Sequence, residues 1–204
     1  MTPILHLARG TISMCVHAAL EEANLPYRLH WVDFAAGQQR APDYLAVNPK
    51  GRVPALVTDR GVLTETPALL EWIAGIATPR LMPSDPWLAA RVRETMSYLA
   101  STVHVAHAHK MRGSRWADNP GAHDAMRDKV TSNIADCAAY LDAQLDGDWV
   151  GRAFGVADLY LWNVARWFPG DGVPLDAFPR LHAHHDRVAA RPAVARVIAL
   201  HTAD

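Results

Sequence analysis

The sequence predicts two domains, a small α/β domain followed by an all-helical one, and three observations carry that prediction. Up to about residue 78, short apolar runs with strand alternation interleave with segments of helical period. From residue 88 onward only helical period remains. Between them lies the proline-rich stretch "TPRLMPSDPW", which reads as a linker.

Ile4-Leu-His-Leu7 is a short apolar run, a first strand. From Thr11 to Asn24 the residues Ile12, Val16, Ala19, Leu20 and Ala23 recur at helical spacing, and Pro26 ends the segment. "YRLHWVDF", Tyr27 to Phe34, alternates as a half-buried strand does. An irregular stretch with at most a short helix from Pro42 to Val47 follows. Val53 to Val57, the turn Asp59-Arg60-Gly61 and Val62-Leu63-Thr64 form a β-hairpin, which requires an antiparallel pair. Thr66 is then a suitable N-cap, and Pro67 stands at the first helical position, where its missing N–H costs nothing. The order β-α-β-(α)-β-β-α implies a mixed sheet. Five helices follow: Leu88 to Met111, Ala122 to Leu145, Val156 to Phe168, Phe178 to Ala190 and Pro192 to His201. In the third, Val156, Leu159, Asn163 and Trp167 fall near one face, and Trp162 and Trp167 read as core. The domain limits read as 1–78, a linker at 79–87, and 88–204.

Composition excludes several classes of function. The 204 residues are half hydrophobic and one-fifth charged, and 20 Lys and Arg against 21 Asp and Glu give a net charge of −1. No run of one sign points to nucleic acid or an anionic membrane. "MTPILHLARG" lacks the features of a signal peptide, and no apolar run approaches membrane-spanning length. Cys15 and Cys137 make neither a disulfide framework nor a CxxC pair, so two free thiols in a reducing cytoplasm are expected. The histidines at 104, 107 and 109 and at 182, 184 and 185 lack the cysteine or acidic ligands that would complete a metal site, so no metal is expected.

One placement raises a question. Pro54 opens the apolar run Val53-Pro-Ala-Leu-Val57, although proline cannot donate to a strand ladder. It belongs to "NPKGRVPAL" (Asn48 to Leu56), and three further blocks follow in order: "GVLTETPALLEWI" (Gly61 to Ile73), "FGVADLYLW" (Phe154 to Trp162) and "RPAV" (Arg191 to Val194). With these blocks the chain resembles the cytosolic glutathione S-transferases over nearly its whole length. Through "NPKG" and "MSYLASTVH" (Met96 to His104) it is most similar to the bacterial beta class.

The resemblance implies an α/β N-terminal thioredoxin-like domain plus an all-α C-terminal helical bundle domain. It also implies a homodimer and glutathione as co-substrate. The proline of the VPAL block is cis in that family, and the residue before it pairs with the cysteinyl backbone of glutathione; these roles pass to Pro54 and Val53. Glu65 and Thr66 match the acidic-hydroxyl pair that holds the γ-glutamyl end. A helix N-terminus there offers N–H groups to a carboxylate, and Glu65 can take the ammonium. Arg40 and Lys50 are candidates for the glycyl carboxylate.

The group that activates the thiol departs from the pattern. Lowering a thiol pKa from about 8.5 to about 6.5 needs roughly 2.7 kcal/mol. The beta-class cysteine aligns with Ile12, the serine of other classes with Gly10, and the tyrosine of mammalian-type classes near Leu5 or His6. Thr11 and Ser13 remain as hydroxyl donors, and as helix caps if they do not act on a thiol. His104 aligns with the beta-class active-site histidine, and Ser97, Ser101 and His104 recur at i, i+4 and i+7 as a polar stripe expected to face a wet cleft. Cys15 is not expected to be the nucleophile. In "FGVADLYLW" Gly155 stands where the family has a Ser or Thr cap, a change worth only a few tenths of a kcal/mol by capping alone.

The resemblance implies attack of the glutathione thiolate on a small hydrophobic electrophile, with Thr11 or Ser13 stabilising the thiolate and His104 assisting. Two alternatives stay open: a glutathione-dependent isomerase, disulfide reductase or dehalogenase, and a non-catalytic glutathione-binding protein.

Overall fold

The computed structural model describes residues 1–202. A four-stranded sheet with the order β2-β1-β3-β4 forms the centre of the first domain. Strands β1 (Ile4–Leu7) and β2 (Arg28–Trp31) run parallel, joined by helix α1 (Ser13–Glu22). Strand β3 (Ala55–Thr58) lies antiparallel to β1 and to β4 (Gly61–Thr64), so the sheet is mixed as the element order requires. A short helix α2 (Pro42–Val47) precedes β3, and α3 (Thr66–Ile76) follows β4.

The second domain comprises α4 (Pro86–Tyr98), α5 (His104–Ala108), α6 (Pro120–Asp128), α7 (Val130–Gln144), α8 (Val156–Ala165), α9 (Pro179–Ala189) and α10 (Pro192–Thr202). The connector between the domains spans residues 77–85. No helix among the described residues is long and apolar enough to cross a membrane.

Two long helical segments in the sequence are broken in the structure. The run expected from Leu88 to Met111 contains a wider π-helical turn, Leu99–Val103, between α4 and α5. The run expected from Ala122 to Leu145 divides at Lys129 into α6 and α7. The π turn changes the phase of side chains around the helix, because each turn there holds more than 3.6 residues. Ser97 and Ser101 consequently face solvent, and Ser101 Oγ donates to the Ser97 carbonyl at 2.8 Å. The expected stripe is therefore broken, and of its three residues only His104 reaches the cleft.

One apolar core runs through both domains. Helix α1 shows why, since eight successive residues, Ser13 to Leu20, are all buried. It is enclosed by the sheet, α3, α8 and α10, so both its faces need small or apolar side chains. Every residue of α8 is buried as well, not the single face that its spacing suggests.

Asp158 anchors the start of α8. Its carboxylate accepts from the backbone N–H of Gly155 and of Val150, each at 2.8 Å, and from His184 Nε2 at 2.8 Å. Gly155 is more than a tolerated cap. A Cβ there would meet the Leu81 carbonyl oxygen at 2.5 Å, and that carbonyl accepts the Val156 N–H at 3.0 Å. Close backbone approach, not capping, requires glycine at this position.

Candidate active site

A cleft of about 340 Å³ opens between the sheet domain and helix α5. Its floor is the segment before β3. The Val53-Pro54 peptide bond is cis, and both strand ladders of β3 begin only at Ala55. Val53 thus lies outside the sheet's hydrogen bonding, in a buried position on the cleft wall. The preceding residue is pinned: the Arg52 carbonyl accepts from Tyr44 Oη at 2.7 Å and from Asn48 Nδ2 at 2.6 Å.

The start of α3 forms the next wall. The capping residue of this helix is Glu65, not Thr66 as the sequence suggests, and Thr66 is its first residue. Glu65 has φ +71°, a sparsely populated conformation for a residue with a side chain. Its carboxylate does not cap the helix; it pairs with Lys50 Nζ, which also donates to Thr64 Oγ1 at 2.7 Å. The first N–H groups of α3 therefore have no side-chain cap, beside an exposed acid. Lys50 stands at this end of the cleft, and Arg40 lines it elsewhere.

At the start of α1 the two candidate hydroxyls separate. Thr11 is half-buried and lines the cleft, whereas Ser13 is fully buried and does not line it. Thr11 Oγ1 lies 2.6 Å from Ser13 Oγ and 2.9 Å from the Ala8 carbonyl oxygen. Ser13 Oγ accepts from the Ala8 N–H at 3.2 Å. Cys15 is buried behind them, its thiol on the Ile12 carbonyl at 3.0 Å, and burial pushes its proton affinity up.

Helix α5 closes the cleft from the second domain. His104 sits edge-on to Trp167, with ring centroids 5.2 Å apart. Burial, reinforced by the nearby charges of His107, Arg112, Arg115 and Arg52, pushes its pKa down to about 4, so it is neutral at neutral pH. His107 stacks on the same indole at 4.4 Å, and its Nδ1 lies 2.6 Å from a carboxylate oxygen of the buried Asp171.

The structure therefore gathers Thr11, Arg40, Lys50, Val53, Pro54, Glu65, Thr66 and His104 around one cleft and leaves Ser13 behind it. It also brings in His107, Trp167, Arg52, Arg112 and Arg115, which the sequence reading did not assign. Trp167 reads as core by its spacing, yet it is only partly buried and forms cleft wall just beyond the end of α8. The paired arginines of "MRGSRW" were the available signal for the last two, but a basic pair in a turn is ordinary solvated surface unless the fold faces it with a cavity. Among the described residues no three His, Cys, Asp or Glu side chains gather as metal ligands do, and His109 turns away to pack on Trp116.

Comparison with known proteins identifies the family. The family described as "Glutathione S-transferase, N-terminal domain" matches residues 11–76, and "Glutathione S-transferase, C-terminal domain" matches residues 103–187. The chain is 30% identical to the glutathione S-transferase GstA of Escherichia coli O157:H7, over 91% of this chain and 92% of that protein. It is 34% identical to a protein named maleylacetoacetate isomerase from Pseudomonas aeruginosa, over 91% and 90%. A crystal structure of a glutathione transferase homologue from Sulfitobacter, with bound glutathione, superposes with a TM-score of 0.94 at 47% identity, covering 98% of both chains. The cleft, the fold that builds it and these likenesses place the chain in the glutathione S-transferase family.

Proposed function

We propose that the protein is a glutathione transferase that binds glutathione in this cleft and directs its thiolate onto a small electrophile with an apolar body. The carrying observation is the meeting, in one cleft, of three features: backbone free of the sheet at Val53, the uncapped start of α3 beside Glu65, and the Thr11 hydroxyl at the start of α1. The cysteinyl backbone pairs with Val53. The γ-glutamyl carboxylate takes the N–H groups of α3 and the Thr66 hydroxyl, and its ammonium takes Glu65. Lys50 pairs with Glu65, which supports giving the glycyl carboxylate to Arg40 in this reading.

Thr11 donates to the thiolate. The Thr11 hydroxyl donates to the Ala8 carbonyl at 2.9 Å in the structure; on binding glutathione it turns from that carbonyl to sulfur, while Ser13, which accepts from the Ala8 N–H, donates to Thr11 Oγ1. Ser13 is then a positioning residue. Neutral His104 assists as a hydrogen-bond donor from the second domain, where an imidazolium would be costly beside the guanidinium groups. The thiol proton leaves to solvent, the thiolate attacks the electrophilic carbon, a C–S bond forms, and the leaving group departs with its electron pair.

The likeness to the maleylacetoacetate isomerase favours a second reading, glutathione-dependent isomerisation in the same cleft, in which the thiolate adds and is later expelled. Product analysis separates the two, because an isomerase leaves no stable conjugate. We assign a cytoplasmic homodimer with domain one of each copy packed on domain two of the other.

Calorimetric titration with glutathione, followed across pH by the ultraviolet absorbance of bound thiolate, tests the proposal. Binding with thiolate present well below pH 8 is expected. Binding with an unshifted thiol would sink the catalytic reading, and no binding would sink the site.

A further inference from the structure

The charges on the cleft wall do not balance. Arg40, Lys50, Arg52, Arg112 and Arg115 face it, against Glu65, which Lys50 already pairs. None of the four guanidinium groups forms an ion pair or donates a side-chain hydrogen bond to protein among the described residues. They converge from both domains: Arg40 and Arg52 flank α2, while Arg112 and Arg115 lie in the turn after α5.

Their convergence is felt electrostatically. Burial, then Arg112, Arg52 and Arg40, pushes the Arg115 pKa down to about 10, and burial with Arg52 lowers that of Arg112. Arg40, Arg52 and Arg115 are exposed and Arg112 is half-buried, so solvent screens much of this repulsion, but the four guanidinium groups still line one cleft without a carboxylate partner among the described residues. Like charges held together cost stability and call for an anion between them.

Glutathione does not supply enough negative charge. Its γ-glutamyl carboxylate is met by α3, its glycyl carboxylate takes Arg40, and its thiolate lies at Thr11, so Arg52, Arg112 and Arg115 are left over. The apolar part of the cleft lining includes Trp167, Trp116, Val105 and Ala108.

We propose that the second substrate is an organic anion, a flat apolar body carrying a carboxylate, bound by Arg112 and Arg115 with Arg52 and resting on Trp167. This assignment rests on the glutathione-transferase reading for the position of the thiol, but the anion site itself can be tested apart from it.

The test is calorimetric titration with 3,5-dinitrobenzoate and with 1,3-dinitrobenzene, which share a ring and differ in charge, with and without saturating S-methylglutathione. In the presence of S-methylglutathione, the benzoate is expected to bind about tenfold or more tightly than the neutral ring, as a charge-assisted contact allows. R112Q/R115Q should abolish most of that preference, and R112K/R115K should recover part of it. The lysine variant also controls for folding. Equal affinities for the two rings, or a preference that survives R112Q/R115Q, would overturn the proposal. So would benzoate binding that S-methylglutathione abolishes, since the arginines would then serve glutathione itself. Binding of the anion without any binding of S-methylglutathione would uphold the anion site and overturn the transferase reading.

Discussion

The hydroxyl oxygens of Thr11 and Ser13 stand 2.6 Å apart at the start of α1, and only Thr11 reaches the cleft. Ser13 Oγ also accepts from the Ala8 N–H, so the two neighbouring hydroxyls have different surroundings, and the proposed roles differ accordingly. Thr11→Val should raise the pKa of bound glutathione by about 1–2 units and lower kcat/KM about 10–100-fold, the worth of one hydrogen bond to a charged group. Ser13→Ala should have a smaller effect on that pKa and a larger one on stability, because it leaves the Ala8 N–H without its partner. Thiolate absorbance against pH and thermal melting, measured on both variants, decide the point. Equal pKa shifts from both substitutions would mean that Ser13 also touches sulfur.

Lys50 is paired with Glu65, whereas Arg40, the other candidate for the glycyl end, has no ion-pair partner among the described residues. Both partners are largely exposed, so the pair contributes little by itself. Lys50→Met should change the glutathione Kd by less than about fivefold. Arg40→Met should weaken binding by about tenfold, the loss of one charge-assisted hydrogen bond. Calorimetry on the two variants ranks them, and a reversed order would return the glycyl carboxylate to Lys50.

Gly155 yields a prediction opposite in sign to the one its sequence context suggests. Serine is the better cap by a few tenths of a kcal/mol, so capping alone favours Gly155→Ser. The Leu81 carbonyl leaves no room for a Cβ, and overpacking against backbone costs about 1–3 kcal/mol. Urea unfolding of Gly155→Ser should therefore show a lower midpoint than the unaltered chain. An unchanged or higher midpoint would show that the connector at Leu81 can move aside.

Helix α10 is tied to α1 through buried imidazoles. Tyr27 donates to Glu21, so its oxygen accepts from His17 Nε2 at 2.9 Å, and His17 Nδ1 accepts from His201 Nε2 at 3.2 Å. Burial pushes the pKa of His17 down to about 4 and that of His201, with His17 adding to the effect, down to about 3. Both values lie below that of an unfolded histidine, near 6.5, so the unfolded chain binds more protons in acid. Stability from this source is complete above about pH 6.5. It should fall as the pH drops toward 4, by up to about 1.4 kcal/mol per unit for each histidine. Urea midpoints at pH 7.5, 5.5 and 4.5 would show the decline, and His201→Leu should flatten it. A midpoint insensitive to acid would place these protons elsewhere.

Much of the architecture was legible in the chain because it rests on local rules. Alternation at β2 and the hairpin turn before β4 act within a few residues and stand where their patterns indicate, and Pro67 falls in the first turn of α3, one position later in the helix than its pattern indicates. Misreadings arose where a local rule met a neighbour from elsewhere. The helical period through Met96 to His104 could not reveal the π turn that separates Ser97 and Ser101 from His104, and capping preference could not reveal the Leu81 carbonyl against Gly155.

By itself the sequence determined the two-domain order, the mixed sheet and the blocks around Pro54, Glu65 and Asp158, because periodicity, turn chemistry and motif spacing are properties of neighbouring residues. Only the tertiary structure decided which of two nearby hydroxyls lines the cleft, that Lys50 is held by Glu65, and that four arginines from both domains share one cleft. Those outcomes depend on distances between groups far apart in the chain, set by how α1, α5 and α8 pack. No local pattern encodes such a distance, because side chains remote in sequence interact only after the core has brought them together.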